Sequence, residues 1–168
     1  VGAARVRDMF QQAVSKAPLV ARQIPIWRDE KAVGYVDLAL ERAYVFKAGQ
    51  PSERIDMPSE IAADEHEARF HMLEQLADFD DALLEQLLSD QPPAQDVVFA
   101  DLARELREGF ITPVFFGAAL HGFGVRRLLK ALRHEAPNPE AAAKRLGIEA
   151  PAALALKVSY AGQAGKLA

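Results

Sequence analysis

A strand, a small-residue loop and a helix follow one another between residues 113 and 134, and this unit constrains the fold more than any other feature of the chain. Residues 113–116 (Pro-Val-Phe-Phe) form a short continuous apolar run, which is typical of a buried strand. Residues 117–124 are mostly small, and residues 125–134 carry apolar side chains at helical spacing. In α/β folds, ligands bind where such a strand ends and the loop leads into a helix. The sequence therefore predicts an α/β fold and marks this loop as a candidate ligand site.

The rest of the chain divides into helices and strands at its prolines and glycines. Further helices are predicted over residues 5–17, 58–78, 81–88, 96–108 and 140–146. Asp80 is placed to cap the helix that follows it, and Gly109 is placed to end the helix that precedes it. Strands are predicted over residues 19–26, 33–40, 42–46 and 153–160. The second and third of these form a hairpin, and Pro25 indicates that the first lies at a sheet edge or ends there.

Apolar spacing also predicts which face of each helix is buried. The residues expected to face inward are Ile61, Ala68, Met72, Leu73 and Leu76 in the helix from Pro58, Val97, Val98, Leu102 and Leu106 in the helix over 96–108, and Val125, Leu128, Leu129 and Leu132 in the helix over 125–134.

Charge is distributed unevenly along the chain. Residues 55–101 hold 13 Asp and Glu but a single basic residue, Arg69, whereas the remaining residues hold 11 acidic and 19 basic ones. A segment with this excess attracts a basic partner and repels the backbone of RNA or DNA. A solvated helical face explains the same charge run without any partner, so charge alone leaves both interpretations open.

Several kinds of site are excluded or unsupported by the sequence. The chain has no cysteine, so disulfides, zinc ribbons and thiol catalysis are excluded. No serine lies in a G-x-S-x-G context, and no G-x-x-x-x-G-K-[ST] P-loop is present. His66 and His71 are five residues apart and point to different helix faces, so no metal site is predicted. No apolar run is long enough for a membrane span, no apolar signal-peptide core follows the first residues, and a cytoplasmic protein fits best.

The sequence resembles elongation factor G across nearly the whole chain, most of all the bacterial elongation-factor-G-like proteins. The resemblance is carried by an ordered set of residues: 18–20, 22–26, 34–38, 43–44, 73–85, 102–109 and 113–120, then Gly124, Val125, Leu128, Leu129 and Leu132. It implies the C-terminal part of a P-loop GTPase domain that carries an insert subdomain with a small sheet and helices.

The resemblance also implies a domain order. Residues 1–18 would be a GTPase-domain helix, 19–110 the insert often called G′, 111–150 the return to the GTPase core, and 151–168 a linker and the first strand of a β-barrel second domain. The insert sheet would contain the strands over 19–26, 33–40 and 42–46. A strand over 153–160 cannot bury itself alone, so we expect this chain to be a piece of a longer protein.

The resemblance assigns a role to the small-residue loop. Gly117, Ala118, Ala119 and Leu120 align with the family's last nucleotide motif, Gly-Ser-Ala-Phe, which contacts guanine mainly through backbone amides near the alanine. Ala118 stands where the family usually has Ser. GTP or GDP would bind only in the full-length parent, with Mg²⁺, because this chain alone lacks the P-loop and switch regions and should be inactive.

The family also implies a partner for the acidic segment. In elongation factor G, the helix similar to residues 58–78 receives the C-terminal domain of the ribosomal stalk protein, and the ribosome is the wider partner. We expect Glu60, Asp64, Glu67 and Glu74 to make this contact, with His66 and Arg69 as interruptions. No membrane and no direct DNA contact are expected.

Two other functions stay open at this stage. The first is a stand-alone acidic protein-interaction domain with no nucleotide role. The second is a complete small enzyme that binds a phosphate ligand at residues 117–124, although two glycines in a strand–helix turn are often there for conformational reasons alone.

Overall fold

A computed structural model describes Gln11, residues 15–150 and the backbone of residues 159–160 and 166–167. Most of the helix predicted over 5–17 and most of the strand predicted over 153–160 lie outside the described residues. The chain divides into two compact units, Val1–Ala136 and Pro137–Ala168. The architecture is mixed α/β with small sheets and helices, as the sequence predicted.

The main sheet of the first unit has four antiparallel strands in sequential order. These are β2 (Gln23–Arg28), β3 (Lys31–Asp37), β4 (Arg42–Val45) and β5 (Glu53–Ile55). The predicted hairpin is confirmed, because β3 pairs with β4 from Gly34 opposite Val45 to Asp37 opposite Arg42. Pro25 lies in β2, at the sheet edge, where its missing N–H removes no bond to a further strand.

A second, parallel pair joins β1 (Leu19–Ala21) to β6 (Thr112–Val114). The single strand predicted over 19–26 is therefore wrong, because β1 and β2 belong to different sheets. Arg22 lies between the two strands. Its N–H donates to the Val114 carbonyl at 3.0 Å, and its own carbonyl accepts from the Leu38 N–H at 3.0 Å. One residue thus hydrogen-bonds to both sheets, and the apolar pattern does not show this division.

Three helices cover the acidic half of the first unit. They are α1 (Ala62–Ala77), α2 (Asp81–Leu88) and α3 (Gln95–Glu108). Pro58 is extended and precedes a 3-10 turn at Ser59–Ile61, so the α-helix begins later than predicted. Asp80 caps α2 as predicted, since its Oδ1 accepts from the Ala82 and Leu83 N–H groups at 2.9 Å each. Gly109 ends α3 with a φ of 81°, the left-handed conformation that glycine adopts without strain.

The helices and sheets bury two apolar clusters. The larger lies among β1, α1, α2 and α3 and includes Val20, Leu38, Met72, Leu73, Leu76, Leu83, Val98 and Leu102. The smaller contains Ile26, Val36 and Ala43 of the four-stranded sheet together with Ile61 from the start of the acidic helix region. The inward face predicted for the helix from Pro58 is thereby confirmed for Ile61, Met72, Leu73 and Leu76.

Helix α4 (Val125–Glu135) has the opposite orientation to the one predicted. Its apolar stripe of Val125, Leu128, Leu129 and Leu132 is 40–59% exposed, while Ala131 and Glu135 are buried. The buried side of α4 is the one from which Arg127 and Glu135 reach buried partners in the first unit. Val97 of α3, also predicted to face inward, is 39% exposed.

The turn between β2 and β3 holds two residues in a strained conformation. Asp29 and Glu30 have φ values of 48° and 60°, which L-residues adopt at a cost of about 1–2 kcal/mol each.

We expect Glu30→Gly to raise the free energy of unfolding by about 1 kcal/mol, since glycine relieves the strain but loses more backbone entropy on folding. Urea unfolding measures the change. The matched control is Lys31→Gly in β3, which should be destabilising, and an equal effect of both variants would contradict the assignment.

The second unit contains helix α5 (Pro139–Arg145) and a short antiparallel pair, β7 (Ser159–Tyr160) with β8 (Lys166–Leu167). The Asn138 side chain caps α5 by accepting from the Ala141 N–H at 2.8 Å. Among the helices that the structure describes, none is both long and apolar enough to cross a bilayer.

Candidate functional site

The two ends of the loop over residues 117–124 lie close together, and we call these ends, residues 116–118 and 123–124, the neck. Ala118 and Phe123 face each other and exchange two backbone hydrogen bonds, each of 3.1 Å. Between them, Ala119–His121 form one 3-10 turn that Gly122 ends with a φ of 69°. The loop is therefore a compact, hydrogen-bonded turn on a tight base, and it sits between β6 and α4 as the sequence predicted.

Two glycines allow the neck to close. A Cβ on Gly117 would lie 2.7 Å from the Phe123 carbonyl oxygen, and one on Gly124 would lie 2.7 Å from the Phe116 carbonyl oxygen. Both distances are far below van der Waals contact, so the backbone approaches closely because these side chains are absent.

Substitution of Gly124 tests this close approach. We expect Gly124→Ala to lower the free energy of unfolding by about 2–4 kcal/mol, since it adds a steric clash to the strain of a φ of 79°. The matched control is Gly122→Ala, which has a similar φ of 69° but open space around its Cβ, so about 1 kcal/mol is expected. Thermal or urea unfolding gives both values. Equal losses in the two variants would mean that the neck is not tightly packed.

The top of the loop presents backbone donors. The N–H groups of Ala119 and Leu120 donate no hydrogen bond to any described residue, whereas those of Ala118, His121, Gly122 and Phe123 are all bonded within the loop. The Leu120 side chain is 99% exposed. Two adjacent amides at the start of a turn suit an acceptor oxygen on a ligand. The Ala118 side chain is a methyl group and contributes no polar contact.

The acidic residues predicted as partner contacts all lie on one surface. Glu60 precedes α1 and Asp64, Glu67 and Glu74 lie on it, and all four are exposed. The spacing of Asp64, Glu67 and Glu74, three and then seven residues, places these three along one face of α1. Together with Glu60, in the 3-10 turn before the helix, we call them the acidic stripe. His71 lies within the stripe, with its Nδ1 3.6 Å from Glu74 Oε2.

The two expected interruptions of the acidic segment behave differently. Arg69 is buried, donates to the Leu38 carbonyl and lies 3.3 Å from Glu41, so it points away from the acidic stripe. His66 is exposed and lines a groove of about 280 Å³ with Phe70 and Leu87. Glu65 is buried rather than exposed, and that burial raises the pKa of its carboxyl. Arg69 therefore adds no positive charge to the acidic stripe.

Two buried ion pairs hold α4 against the sheet region, and sequence reasoning missed both of them. Arg22 is fully buried, with its Nη1 2.6 Å from Glu135 Oε2. Arg127 Nε donates to Asp37 Oδ2 at 2.8 Å. The sequence does contain a signal for these pairs, because a charged residue interrupts each of two mostly apolar runs. These residues are Arg22, within residues 19–26, and Asp37, between Val36 and Leu38.

A second buried acidic group lies where α3 meets the cap of α2. Arg104 Nη2 lies 2.8 Å from Asp80 Oδ2, 2.9 Å from Asp101 Oδ1 and 3.5 Å from Glu105 Oε1. Burial, and next the charge of Asp101, raises the pKa of Glu105 to about 7. The Leu83 N–H, followed by Arg104, lowers the pKa of Asp80. Among the described residues, no group of three or more His, Cys, Asp or Glu side chains is arranged to hold a metal ion.

Comparison with known proteins relates this geometry to a family. No protein-family model matches the chain. The chain is 47% identical over 134 residues to the "Elongation factor G-like protein" of Synechocystis sp., covering 80% of this chain and 20% of that protein. It is 33% identical over 137 residues to "Elongation factor G" of Rhodopirellula baltica, covering 80% of this chain and 19% of that protein.

The chain is homologous to a segment of elongation factor G. It spans about a fifth of the length of the curated relatives it matches. A crystal structure of a Thermus thermophilus protein matches the fold with a TM-score of 0.74 and 22% identity, over 97% of this chain and 24% of that protein. The resemblance identified from the sequence is confirmed at this level.

The structure brings each set of predicted site residues together but keeps the two sets apart. Gly117, Ala118, Ala119 and Leu120 form one side of the loop, and Glu60, Asp64, Glu67 and Glu74 form the acidic stripe. Among the described residues, no hydrogen bond or ion pair connects the loop set to the stripe set. They are candidates for two separate sites.

Proposed function

We propose that this chain is the segment of an elongation-factor-G-like translational GTPase that contributes a guanine contact and a docking surface for the ribosome. The observation that carries the proposal is the 47% identity to an elongation factor G-like protein over 134 residues. The parent protein would bind GTP or GDP with Mg²⁺ and act on the ribosome in the cytoplasm. Hydrolysis would depend on a P-loop and switch regions that this sequence does not contain.

The proposed domain order follows from the same homology. Residues 1–18 and 111–150 would belong to the GTPase core, 19–110 to the insert, and 151–168 to the linker and second domain. The parallel pairing of β1 with β6 supports an insert, because it brings the two ends of this segment side by side. The four-stranded sheet and helices α1 to α3 lie between those two strands.

We propose that the N–H of Ala119 hydrogen-bonds to the guanine base in the full-length protein that contains this chain. The test is Ala119→Pro, which removes that N–H at the first residue of a turn, a position that proline tolerates. Since Ala118 is already extended, it is compatible with a following proline. GDP affinity is expected to fall about tenfold, which corresponds to the loss of one hydrogen bond.

The matched control for this substitution is Ala118→Ser, which keeps the Ala119 N–H and restores the hydroxyl that the family usually has. Its GDP affinity should be at least that of the wild type. Equal affinity of the Ala119→Pro protein and the wild type would refute the guanine contact. Micromolar GDP binding by this 168-residue chain alone would instead favour a complete small nucleotide-binding protein.

We propose that the acidic stripe receives the C-terminal domain of the ribosomal stalk protein. Asp64, Glu67 and Glu74 are exposed on one face of α1, and Glu60 is exposed just before the helix. This arrangement supports the contact, because a basic partner can meet several of these carboxylates at once. The test is a nuclear magnetic resonance titration of this chain with that domain. Amide shifts confined to residues 58–78 are expected at low salt, and they should disappear at high salt because exposed charge pairs are screened.

A paired substitution makes this titration specific. Glu67→Gln with Glu74→Gln should weaken binding about two- to tenfold, whereas Glu85→Gln with Asp96→Asn, on exposed parts of α2 and α3, should not. Equal weakening by the two pairs would show attraction to overall charge rather than to the stripe. Absence of shifts at low salt would show that the stripe is solvated surface. If the full-length protein binds the stalk domain but no nucleotide, the result would favour the alternative of a stand-alone acidic protein-interaction domain.

A further inference from the structure

A row of aromatic side chains connects the four-stranded sheet to the candidate nucleotide loop. Tyr35 of β3 packs against Tyr44 and Phe46, with ring centroids 5.2 Å and 5.7 Å away. Phe46 then stacks on Phe123 of the loop, with centroids 4.9 Å apart and the rings within 1° of parallel. His121 adds a tilted contact to Phe123 at 5.5 Å. The ring pair of Phe46 and Phe123 thus connects the sheet to the loop.

The position of Phe46 is itself determined by the sheet. It directly follows β4, and its N–H donates to the Val33 carbonyl in β3 at 2.9 Å. Tyr35, on which its ring packs, is buried. Phe46 therefore presents a ring of defined orientation to the loop rather than a freely rotating surface side chain.

Phe123 connects the ring of Phe46 to the turn that bears the Ala119 and Leu120 amides. Its carbonyl and N–H make the two 3.1 Å bonds that hold Ala118, and the turn bearing the Ala119 and Leu120 amides begins directly after Ala118. In the described structure, the turn that bears these two amides is connected to the sheet, covalently and by hydrogen bonds, only through residues 116–118 and 123–124. A displacement of the Phe123 ring would therefore displace the base of the turn.

The other side of the neck is held by the same sheet. The side chain of Gln23, fully buried at the start of β2, accepts from the Phe116 N–H through its Oε1 at 2.9 Å. The neck is thus attached to the sheet on both sides, by a hydrogen bond at Phe116 and by ring stacking at Phe123.

From this arrangement we infer that Phe46 and Gln23 are positioning residues for the nucleotide loop, so that the four-stranded sheet sets how well the loop binds a guanine nucleotide. This inference rests on the proposed guanine contact. Neither residue touches the ligand, and both act on the Ala119 amide through the neck. The same sheet packs against Ile61 at the start of the acidic helix region, so one sheet contacts the elements that carry both candidate sites.

The experiment uses Phe46→Ala, with Phe46→Tyr as the conservative variant that keeps the ring. In this chain, amide hydrogen exchange at Ala118 and Phe123 should accelerate about fivefold in Phe46→Ala, because the stack on Phe123 is lost, and should be unchanged in Phe46→Tyr. Exchange at Leu83, held by the Asp80 cap, should not change. Phe70→Ala, which removes an exposed ring from α1, is the control for a general effect of deleting phenylalanine.

The second readout is GDP dissociation from the full-length protein that contains this chain. It should be about fivefold faster in Phe46→Ala, while stalk-domain binding stays at the wild-type level, which a merely structural role would not produce. If Phe46→Ala also accelerates exchange throughout α3, Phe123→Leu replaces it, because that variant removes the same stack without altering the sheet.

The outcomes separate this inference from the proposed function. Unchanged loop exchange and unchanged GDP dissociation in a protein that binds GDP would overturn the positioning role and leave the guanine contact intact. A wild-type protein that binds no guanine nucleotide would overturn the proposed function, and the positioning role with it. The expected result is faster amide exchange in the loop and faster GDP release in Phe46→Ala, with both rates at the wild-type level in Phe46→Tyr.

Discussion

Glu135→Ala is expected to lower the free energy of unfolding by about 3–5 kcal/mol, the largest loss of any single substitution considered for this chain. Glu135 is the partner of Arg22, whose guanidinium is fully buried and lies over the rings of Phe99 and Phe115 at 5.6 Å and 5.4 Å. Removal of the carboxylate leaves a positive charge without compensation in an apolar site. Urea unfolding of the two proteins at neutral pH gives the difference.

The double variant Arg22→Met with Glu135→Leu is the informative control. It removes both charges and keeps apolar volume, so most of the lost stability should return. Glu108→Ala, at the exposed end of α3, should change stability by about 0.5 kcal/mol or less. A loss below about 1 kcal/mol in Glu135→Ala would mean that water reaches Arg22 and that the pair is not truly buried.

The second large effect concerns pH and Glu105. Its side chain is fully buried, and its pKa is raised to about 7 from an ordinary value of 4.5. The folded chain therefore binds this proton more tightly than the unfolded chain. The contribution to stability is fully present below about pH 4.5 and is lost as the pH rises through 7. The loss at pH 8 is on the order of 3 kcal/mol.

Glu105→Gln tests this linkage, because the amide has nearly the shape of the protonated acid and no charge. At pH 8 it should be more stable than the wild type by about 2–3 kcal/mol, and near pH 5 the two should be similar. The groups that face Glu105 are Asp80, Asp101 and Arg104, so the same comparison with Asp101→Asn identifies their share. A constant difference between wild type and Glu105→Gln from pH 5 to pH 8 would refute the raised pKa.

The elements predictable from sequence are those formed by neighbouring residues. The capped helix α2 begins and ends where the spacing and Asp80 place it, and the β3–β4 hairpin pairs as its alternation indicates. Both depend on hydrogen bonds or side-chain contacts within about ten residues of sequence. The loop over residues 117–124 was predictable for the same reason, since its glycines and its position between strand and helix are local features.

The features that sequence did not predict depend on distant partners. Residues 19–26 have the composition of one strand, and their division into two strands comes from Arg22, which hydrogen-bonds to Val114 and Leu38. The stripe of α4 was correctly identified as one face, but periodicity does not say which face of a helix packs inward. The contact of Phe46 with Phe123 has no local pattern at all. For the proposed nucleotide and stalk contacts, the predicted residues stay predictions until the titrations are made.

The attachment of β1 to β6 also has a consequence for the time course of synthesis. Gln23 and Phe116, which are hydrogen-bonded to each other beside this pair, are 93 residues apart in sequence. At a translation rate of about 5–20 residues per second, the β1 segment emerges about 5–20 s before the strand with which it pairs. The intervening sheet and helices are built mainly from contacts between sequence neighbours and can form during this interval. During each round of synthesis, the apolar edge of β1 must therefore wait unpaired until β6 has been made.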